Sequence, residues 1–336
     1  MPGIQYFSKV TKQHPKISLF IFLCIGCFIA LKIYYHITPL PAKNWIKTNL
    51  EKIAINDPAK FSFALFSGGR AGSHIFRGIL EQVDHDPEIA FAVNLGDTVF
   101  KGKKSYYKYF LKELEAKLGI PLLTVMGNND LSGDGIELYR KIFGPSYYSF
   151  RVGKNFFIVI DNAGQNRFDN KQIVWLANEL KGAAGYDSRI IFMHNPFYDP
   201  AVDNREQYIS EDTSSKLLAL FLKYNVSHIF ASQRSGIYEG DLEGVPYTVT
   251  GGAGISCPDK RKRYGAYHFL KVNIEKGALN IERKEDFTAG LYKTRHHRYT
   301  PAVFVDHMAR VHWFEISLLV IMIMGIIIYF IIRKRI

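Results

Sequence analysis

Cysteine is nearly absent, with three residues in a chain of 336. Cys24 and Cys27 lie inside a long apolar run, which leaves Cys257 as the one thiol of the intervening domain. A lone thiol cannot close an internal disulfide, so this is not a stapled secreted mini-domain; an intermolecular bridge through Cys257 stays open. Acidic residues are also in deficit, 31 Asp and Glu against 43 Lys and Arg, for a net charge of +12. Part of that excess sits in the terminal tails, and a block, Lys260-Arg261-Lys262-Arg263, sits in the interior. Two readings of the block stand: a solvated loop, because four adjacent cations repel one another, or a contact with anionic headgroups or an acidic ligand. No nucleic-acid module accompanies the charge, which argues against DNA or RNA as partner. Internal repeats and low-complexity segments are missing as well.

What the chain does have is apolar residues, 47% of the total and unevenly spread. Ser18 to Ile37 and Phe314 to Ile332 are almost entirely apolar. A bilayer core of about 30 Å needs roughly 20 helical residues, and both runs reach that length. Tyr34, Tyr35, Trp313 and Tyr329 suit the aromatic belt, and Lys32 and Glu315 can reach the interface. A cleaved signal peptide is the alternative for the first run, but its apolar core would be long and no A-x-A site follows. Lys9, Lys12 and Lys16 precede the first run, and Arg333, Lys334 and Arg335 follow the second. Positive residues stay on the cytoplasmic side. The expected organisation is therefore a cytoplasmic tail at 1–17, a transmembrane helix at 18–37, a stalk at 38–59 with a short amphipathic helix near Trp45 to Ile55, a main domain at 60–275, a return segment at 276–313, a transmembrane helix at 314–332 and a cytoplasmic tail at 333–336. Both termini are then cytoplasmic, and the main domain faces the periplasm, a lumen or the exterior.

Within the main domain, short apolar runs alternate with helix-spaced segments. Strands are predicted at Phe61 to Phe66, Ala90 to Asn94 and Leu122 to Met126, with helices at Ile75 to Val83 and Ser105 to Leu118 between them. Tyr147 to Arg151 and Phe156 to Ile160 flank Gly153 as a hairpin. A helix at Asn170 to Leu180, a strand at Ile190 to Met193, a helix at Ser214 to Tyr224 and strands at His228 to Ala231 and Val245 to Thr250 follow. This order describes a layered α/β domain.

Two of these strands end alike. Phe91 to Asn94 runs into Gly96-Asp97, and Leu122 to Met126 runs into Gly127-Asn128-Asn129-Asp130. Ligands bind beyond the carboxyl ends of strands in α/β sheets. Carboxylate and amide oxygens raised there can hold a hard metal ion. One such motif alone is ordinary turn chemistry. Two on consecutive strands favour a site.

The ordered motifs NLGD, GNND, FIVIDN, FMHNPFYDP, IYEG and TGGAG resemble the calcineurin-like metallophosphoesterase family over roughly residues 60 to 275. The resemblance implies a four-layer α/β sandwich and a two-metal site that hydrolyses phosphoesters. Carried over by position, it implies Asp97, Asn128 and His194 as metal ligands, with Asp130 beside them. It also implies losses. Gly68 stands where the family places a metal-binding Asp, with Arg70 two residues on. Asn129 stands where the family has the His that assists the leaving group. Gln233 and Ser235, either side of Arg234, replace the two imidazoles of the closing motif. The catalytic candidates that remain are His194 and Asn129, with His74 as a recruit from the following helix.

Loss of even an outer partner at a metal site costs about 10–100-fold in affinity, so three lost ligands amount to roughly 4–8 kcal/mol. The expected cofactor is therefore none, or at most one weakly bound divalent metal in place of two. The expected function is that of a membrane-anchored pseudo-phosphoesterase that binds an envelope protein or an anionic glycan or lipid. The alternative is an active phosphoesterase with an atypical or single-metal site.

Overall fold

The computed structural model of the chain describes residues 15–40, 42–68, 74–164, 168–198, 209–232, 236–252, 268–285 and 313–335. The chain divides into two compact units, Met1–Pro39 with Val305–Ile336, and Leu40–Phe304. In chain order the helices are α1 (Pro15–Ile37), α2 (Trp45–Lys52), α3 (His74–His85), α4 (Lys104–Lys117), α5 (Gly135–Ile142), α6 (Asn170–Gly182), α7 (Glu211–Lys223) and α8 (Trp313–Arg335). The strands are β1 (Lys60–Phe66), β2 (Ile89–Asn94), β3 (Leu122–Thr124), β4 (Tyr148–Val152), β5 (Asn155–Val159), β6 (Ser188–Phe192), β7 (His228–Ala231), β8 (Ile237–Leu242), β9 (Val245–Thr250), β10 (His268–Glu275) and β11 (Ala278–Glu285).

The larger unit holds two mixed sheets, in the orders β11-β10-β1-β2-β3 and β4-β5-β6-β7-β9-β8. Period-two alternation on β1 sorts its side chains between two faces. Phe63 turns inward and meets Phe157, Phe192 and Phe230 of the second sheet edge to face, at ring separations of 5.7–6.4 Å. Phe66 turns outward and packs on Phe76 of α3, which stacks on Phe110 of α4. The second sheet repeats the scheme. Ile158, Ile191 and Ile229 share a core with Leu176 and Leu180 of α6 and with Leu217 and Phe221 of α7. Helices therefore cover both outer faces, and an aromatic seam joins the sheets. Strands β1, β2 and β3 run parallel in the first sheet and β5, β6 and β7 in the second, and the loops that follow their carboxyl ends carry the polar motifs.

Several boundaries differ from the sequence reading. The short amphipathic helix expected within the stalk, near Trp45 to Ile55, is present as α2 and belongs to the larger unit: Ile46 is buried, and the Trp45 indole donates to the Leu122 carbonyl at 2.8 Å. β11 pairs with β10 along its whole length, so the first sheet continues beyond residue 275 into the expected return segment. The hairpin is confirmed in register, with Phe150 opposite Phe157.

In the smaller unit, α1 and α8 pair. Lys32 Nζ lies 3.1 Å from Glu315 Oε1, and Gly325 leaves room for the Phe20 ring. Apolar side chains such as Leu19, Phe22, Ile33, Leu319 and Met324 are exposed around both helices. Among the described residues no helix is long and apolar enough to cross a membrane. Side chains at 17, 18, 21, 35 and 36 of α1 and at 313, 314 and 328–335 of α8 lie outside the described residues.

Candidate functional site

Gly96 and Gly127 make the site possible by letting two strand-end loops touch. A Cβ on Gly96, which sits at φ +101°, would lie 2.4 Å from His194 Nδ1, and one on Gly127 would lie 2.0 Å from the Asp97 backbone nitrogen. The loops after β2 and β3 thus meet through bare backbone, and the His194 imidazole of the loop after β6 seats against Gly96. Asp97 itself adopts φ +56°, a left-handed conformation that is uncommon outside glycine and clusters at functional sites.

The Asp97 carboxylate is almost wholly buried. Its Oδ1 accepts the Asn129 backbone N–H at 2.8 Å, and its Oδ2 accepts the Asn129 side-chain N–H at 3.0 Å. His194 is fully buried, and its Nδ1–H donates to the Leu95 carbonyl at 2.8 Å. That bond assigns the tautomer and leaves the Nε2 lone pair facing Asp97 Oδ1 at 3.4 Å. Among the described residues Nε2 has no hydrogen-bond partner, and neither has the buried Asn94 Nδ2. An unpaired imidazole nitrogen opposite a carboxylate is what a cation or a proton would bridge.

Asn128 does not turn the same way. Its Oδ1 accepts the Gly164 N–H at 2.7 Å, and its Nδ2 donates to Asn195 Oδ1 at 3.2 Å. Asn195 is held in turn by Asn162, which bridges β5 to β6. Asn162 Oδ1 accepts the N–H groups of His194 and Asn195 at 3.0 and 3.1 Å, and its Nδ2 donates to the Asn195 carbonyl at 2.6 Å. Asp130 is fully buried beneath Asp97. It accepts Thr98 Oγ1 at 2.6 Å, Gly127 N at 2.8 Å, Val99 N at 3.2 Å and Thr98 N at 3.3 Å. Burial, and after it the Asp97 charge, push the Asp130 carboxyl above the ordinary carboxylate range.

At the end of β1, Gly68 is buried at φ +73°, with its N–H on the Gly96 carbonyl at 3.3 Å. Ser67 beside it shares a short hydrogen bond with Ser232, which follows β7. Two neutral hydroxyls thus link the two sheets where the resemblance implies metal ligands.

The structure brings Asp97, Asn129 and His194 into direct contact and sets Gly68 against the same loop. It places Asn128 alongside but directs its carbonyl to Gly164. Arg70, Gln233, Arg234, Ser235, Cys257, the block at 260–263 and the His74 side chain lie outside the described residues. The Asn128–Asn162–Asn195 network and the Ser67–Ser232 pair were not anticipated. Asp161-Asn162 closes the apolar run of β5 in the same manner as Gly96-Asp97 closes β2, and that pattern was the available signal.

The fit to a divalent metal pair can be judged on these contacts. Among the described residues no group of three or more His, Cys, Asp or Glu side chains converges. Asp97 and His194 Nε2 offer two donors for one ion. Asp97 is capped by Asn129, Asn128 is engaged elsewhere, and Gly68 has no side chain to offer. Among the described residues these donors do not make up a two-metal centre; positions 69–73 and 233–235 lie outside them.

The calcineurin-like phosphoesterase family profile matches residues 54–241. The chain is 25% identical over 161 residues to the serine/threonine-protein phosphatase CPPED1 of Homo sapiens, and 24% identical over 162 residues to that of Rattus norvegicus. Each match takes in 44% of this chain, which spans about half the length of these curated relatives. Among solved structures, GAP50, the anchor in the inner membrane complex of Plasmodium, superposes with a TM-score of 0.55 at 15% identity, covering 68% of this chain and 85% of that one. A purple acid phosphatase, PPD1, from yellow lupin (Lupinus luteus) seeds gives 0.54 at 14% identity, covering 68% and 52%. At such identities the likeness is one of fold.

Proposed function

The chain belongs to the calcineurin-like phosphoesterase family, and from that premise we propose that it is a membrane-anchored member that has given up metal-dependent hydrolysis and works by binding. The observation that carries this reading is the closure of Asp97 by Asn129. Both carboxylate oxygens take N–H groups of one residue, at 2.8 and 3.0 Å. Gly68 next to it supplies no carboxylate. Asn129 also has no titratable group with which to assist a leaving oxygen at neutral pH. The partner class stays as broad as the sequence makes it: an envelope protein, or an anionic glycan or lipid.

Two features support the anchoring. Helices α1 and α8 expose apolar side chains such as Leu19, Phe22, Ile33, Leu319 and Met324, which would be covered inside a bilayer. Their outer flanks carry the Lys9, Lys12, Lys16 and Arg333-Lys334-Arg335 clusters that set topology. GAP50, which shares the fold, is itself an anchor in a membrane complex. The opposed reading, an enzyme with one metal, draws on the unpaired Nε2 of His194 facing Asp97.

Restoring the family's ligands separates the two. The fourfold variant Gly68→Asp, Asn129→His, Gln233→His and Ser235→His is expected to raise calorimetrically measured Mn²⁺ or Zn²⁺ binding from below one towards two per chain. Asp is among the residues that best accept the positive φ at position 68. If the variant melts like the unmodified protein and still gains no metal, the lost ligands are not what disables the site.

A further inference from the structure

We propose that Asn225 carries an N-linked glycan on the exposed turn between α7 and β7. Asn225-Val226-Ser227 is the one Asn-x-Ser/Thr triplet in the whole sequence. A triplet of this kind arises often by chance, so the argument rests on how the fold treats it.

The turn is a Schellman closure of α7. The Val226 N–H bonds the Phe221 carbonyl at 2.9 Å, and the Asn225 N–H bonds the Leu222 carbonyl at 3.2 Å. Asn225 occupies the left-handed position at φ +52°. Val226 is buried and pins the turn to the core. Arg189 of β6 brackets the triplet: its Nε donates to the Asn225 carbonyl at 3.0 Å, its N–H donates to Ser227 Oγ at 3.1 Å, and its carbonyl accepts the Ser227 N–H at 2.8 Å. Every main-chain polar group of Asn225, and the Ser227 hydroxyl, is therefore engaged. The Asn225 side chain is exposed and makes no hydrogen bond among the described residues. The turn is held by everything in the triplet except the atom that would be modified, so a glycan there disturbs no contact.

The step needs a polyprenyl-diphosphate-linked oligosaccharide as donor. Asn225 Nδ2 forms a bond to C1 of the reducing-end sugar, the C1–O bond to the diphosphate breaks, the amide releases one proton, and the polyprenyl diphosphate leaves with the bonding pair. No electron donor or acceptor takes part. A left-handed Asn at a helix C-terminus has a structural rationale of its own, and Gly serves that rationale equally well. Asn225→Gly therefore keeps the turn and removes the acceptor.

The inference rests on the proposed topology, which puts the larger unit on the non-cytoplasmic side, and takes that side to be a glycosylating lumen. The test expresses the full chain in a eukaryotic cell and follows its electrophoretic mobility before and after peptide-N-glycosidase. One glycosidase-sensitive step is expected in the unmodified chain and in Ser227→Thr, which keeps the triplet, and none in Asn225→Gly. A second acceptor, built by Lys276→Asn with Ala278→Thr on the exposed β10–β11 turn, reports topology independently. If that acceptor is modified and Asn225 is not, or if the step survives in Asn225→Gly, the assignment of Asn225 is wrong while the topology holds. If neither acceptor is modified, the larger unit does not enter a glycosylating lumen, and both readings fall.

Discussion

Gly127→Ala is expected to destabilise the larger unit by roughly 3 kcal/mol or more, or to prevent it from folding. The added methyl would lie 2.0 Å from the Asp97 nitrogen, 2.6 Å from Asp97 Oδ1 and 2.8 Å from its Cα. Two of the three obstructing atoms are main chain, and neither loop is free to give way. Asp97 is tied to Asn129, and Gly127 donates to Asp130 at 2.8 Å. For a domain of this size each kcal/mol lowers the melting temperature by about 2–4 °C, so the variant should melt about 6–12 °C lower. Gly182→Ala provides the contrast. It ends α6, nothing lies within 4 Å of the new Cβ, and its backbone is helical. There the change should be neutral or stabilise by about 0.5 kcal/mol, since Ala outranks Gly in helices. Thermal melts of the pair check the claim, and equal effects at the two positions would show that the loops do not meet as described.

Asp130→Ala is the second large effect. Four donors, Thr98 N, Thr98 Oγ1, Val99 N and Gly127 N, lose a common acceptor in a fully buried place. An unsatisfied buried donor costs about 1–3 kcal/mol, and water can replace only part of the set, so a loss of roughly 4 kcal/mol is expected. Asp169→Ala deletes a carboxylate that makes one bond among the described residues, to the Gln172 N–H at 2.9 Å, as the N-cap of α6. Its cost should be about 1 kcal/mol. Denaturant titration of both variants gives the comparison. Similar losses would mean that Asp130 is not the hub on which the loops after β2 and β3 are fastened.

That hub illustrates how far the sequence could be read. Apolar runs ending in Gly and a carboxylate or amide located β2, β3, Asp97 and Asn128, because burial and turn chemistry leave local marks, whereas His194 was placed by the family resemblance alone. Strands β8 and β11 left none. Ile237–Leu242 contains Glu, Gly and Asp, and Ala278–Glu285 carries four charges, so neither has strand propensity; they are strands because β9 and β10 offer edges to pair with. Helix α5 begins at a glycine and was likewise missed. In the site, residue types were legible and orientations were not. Whether the Asn128 carbonyl faces His194 or the Gly164 N–H depends on where the loop after β5 arrives, from 36 positions away. The Ser67–Ser232 link spans 165 positions and depends on two sheets meeting. Asn129 was read as a lost histidine, whereas the structure gives it a positive role, capping Asp97.

The direct test of the central claim is metal content and turnover in the unmodified full chain. Purified in detergent and dialysed against Mn²⁺ or Zn²⁺ at neutral pH, it should retain less than one metal ion per chain by elemental analysis, and should hydrolyse a generic aryl phosphate no faster than its own Asp97→Ala variant. Two tightly held ions per chain, or hydrolysis that Asp97→Ala abolishes, would contradict the binding role and return the protein to the active enzymes of its family.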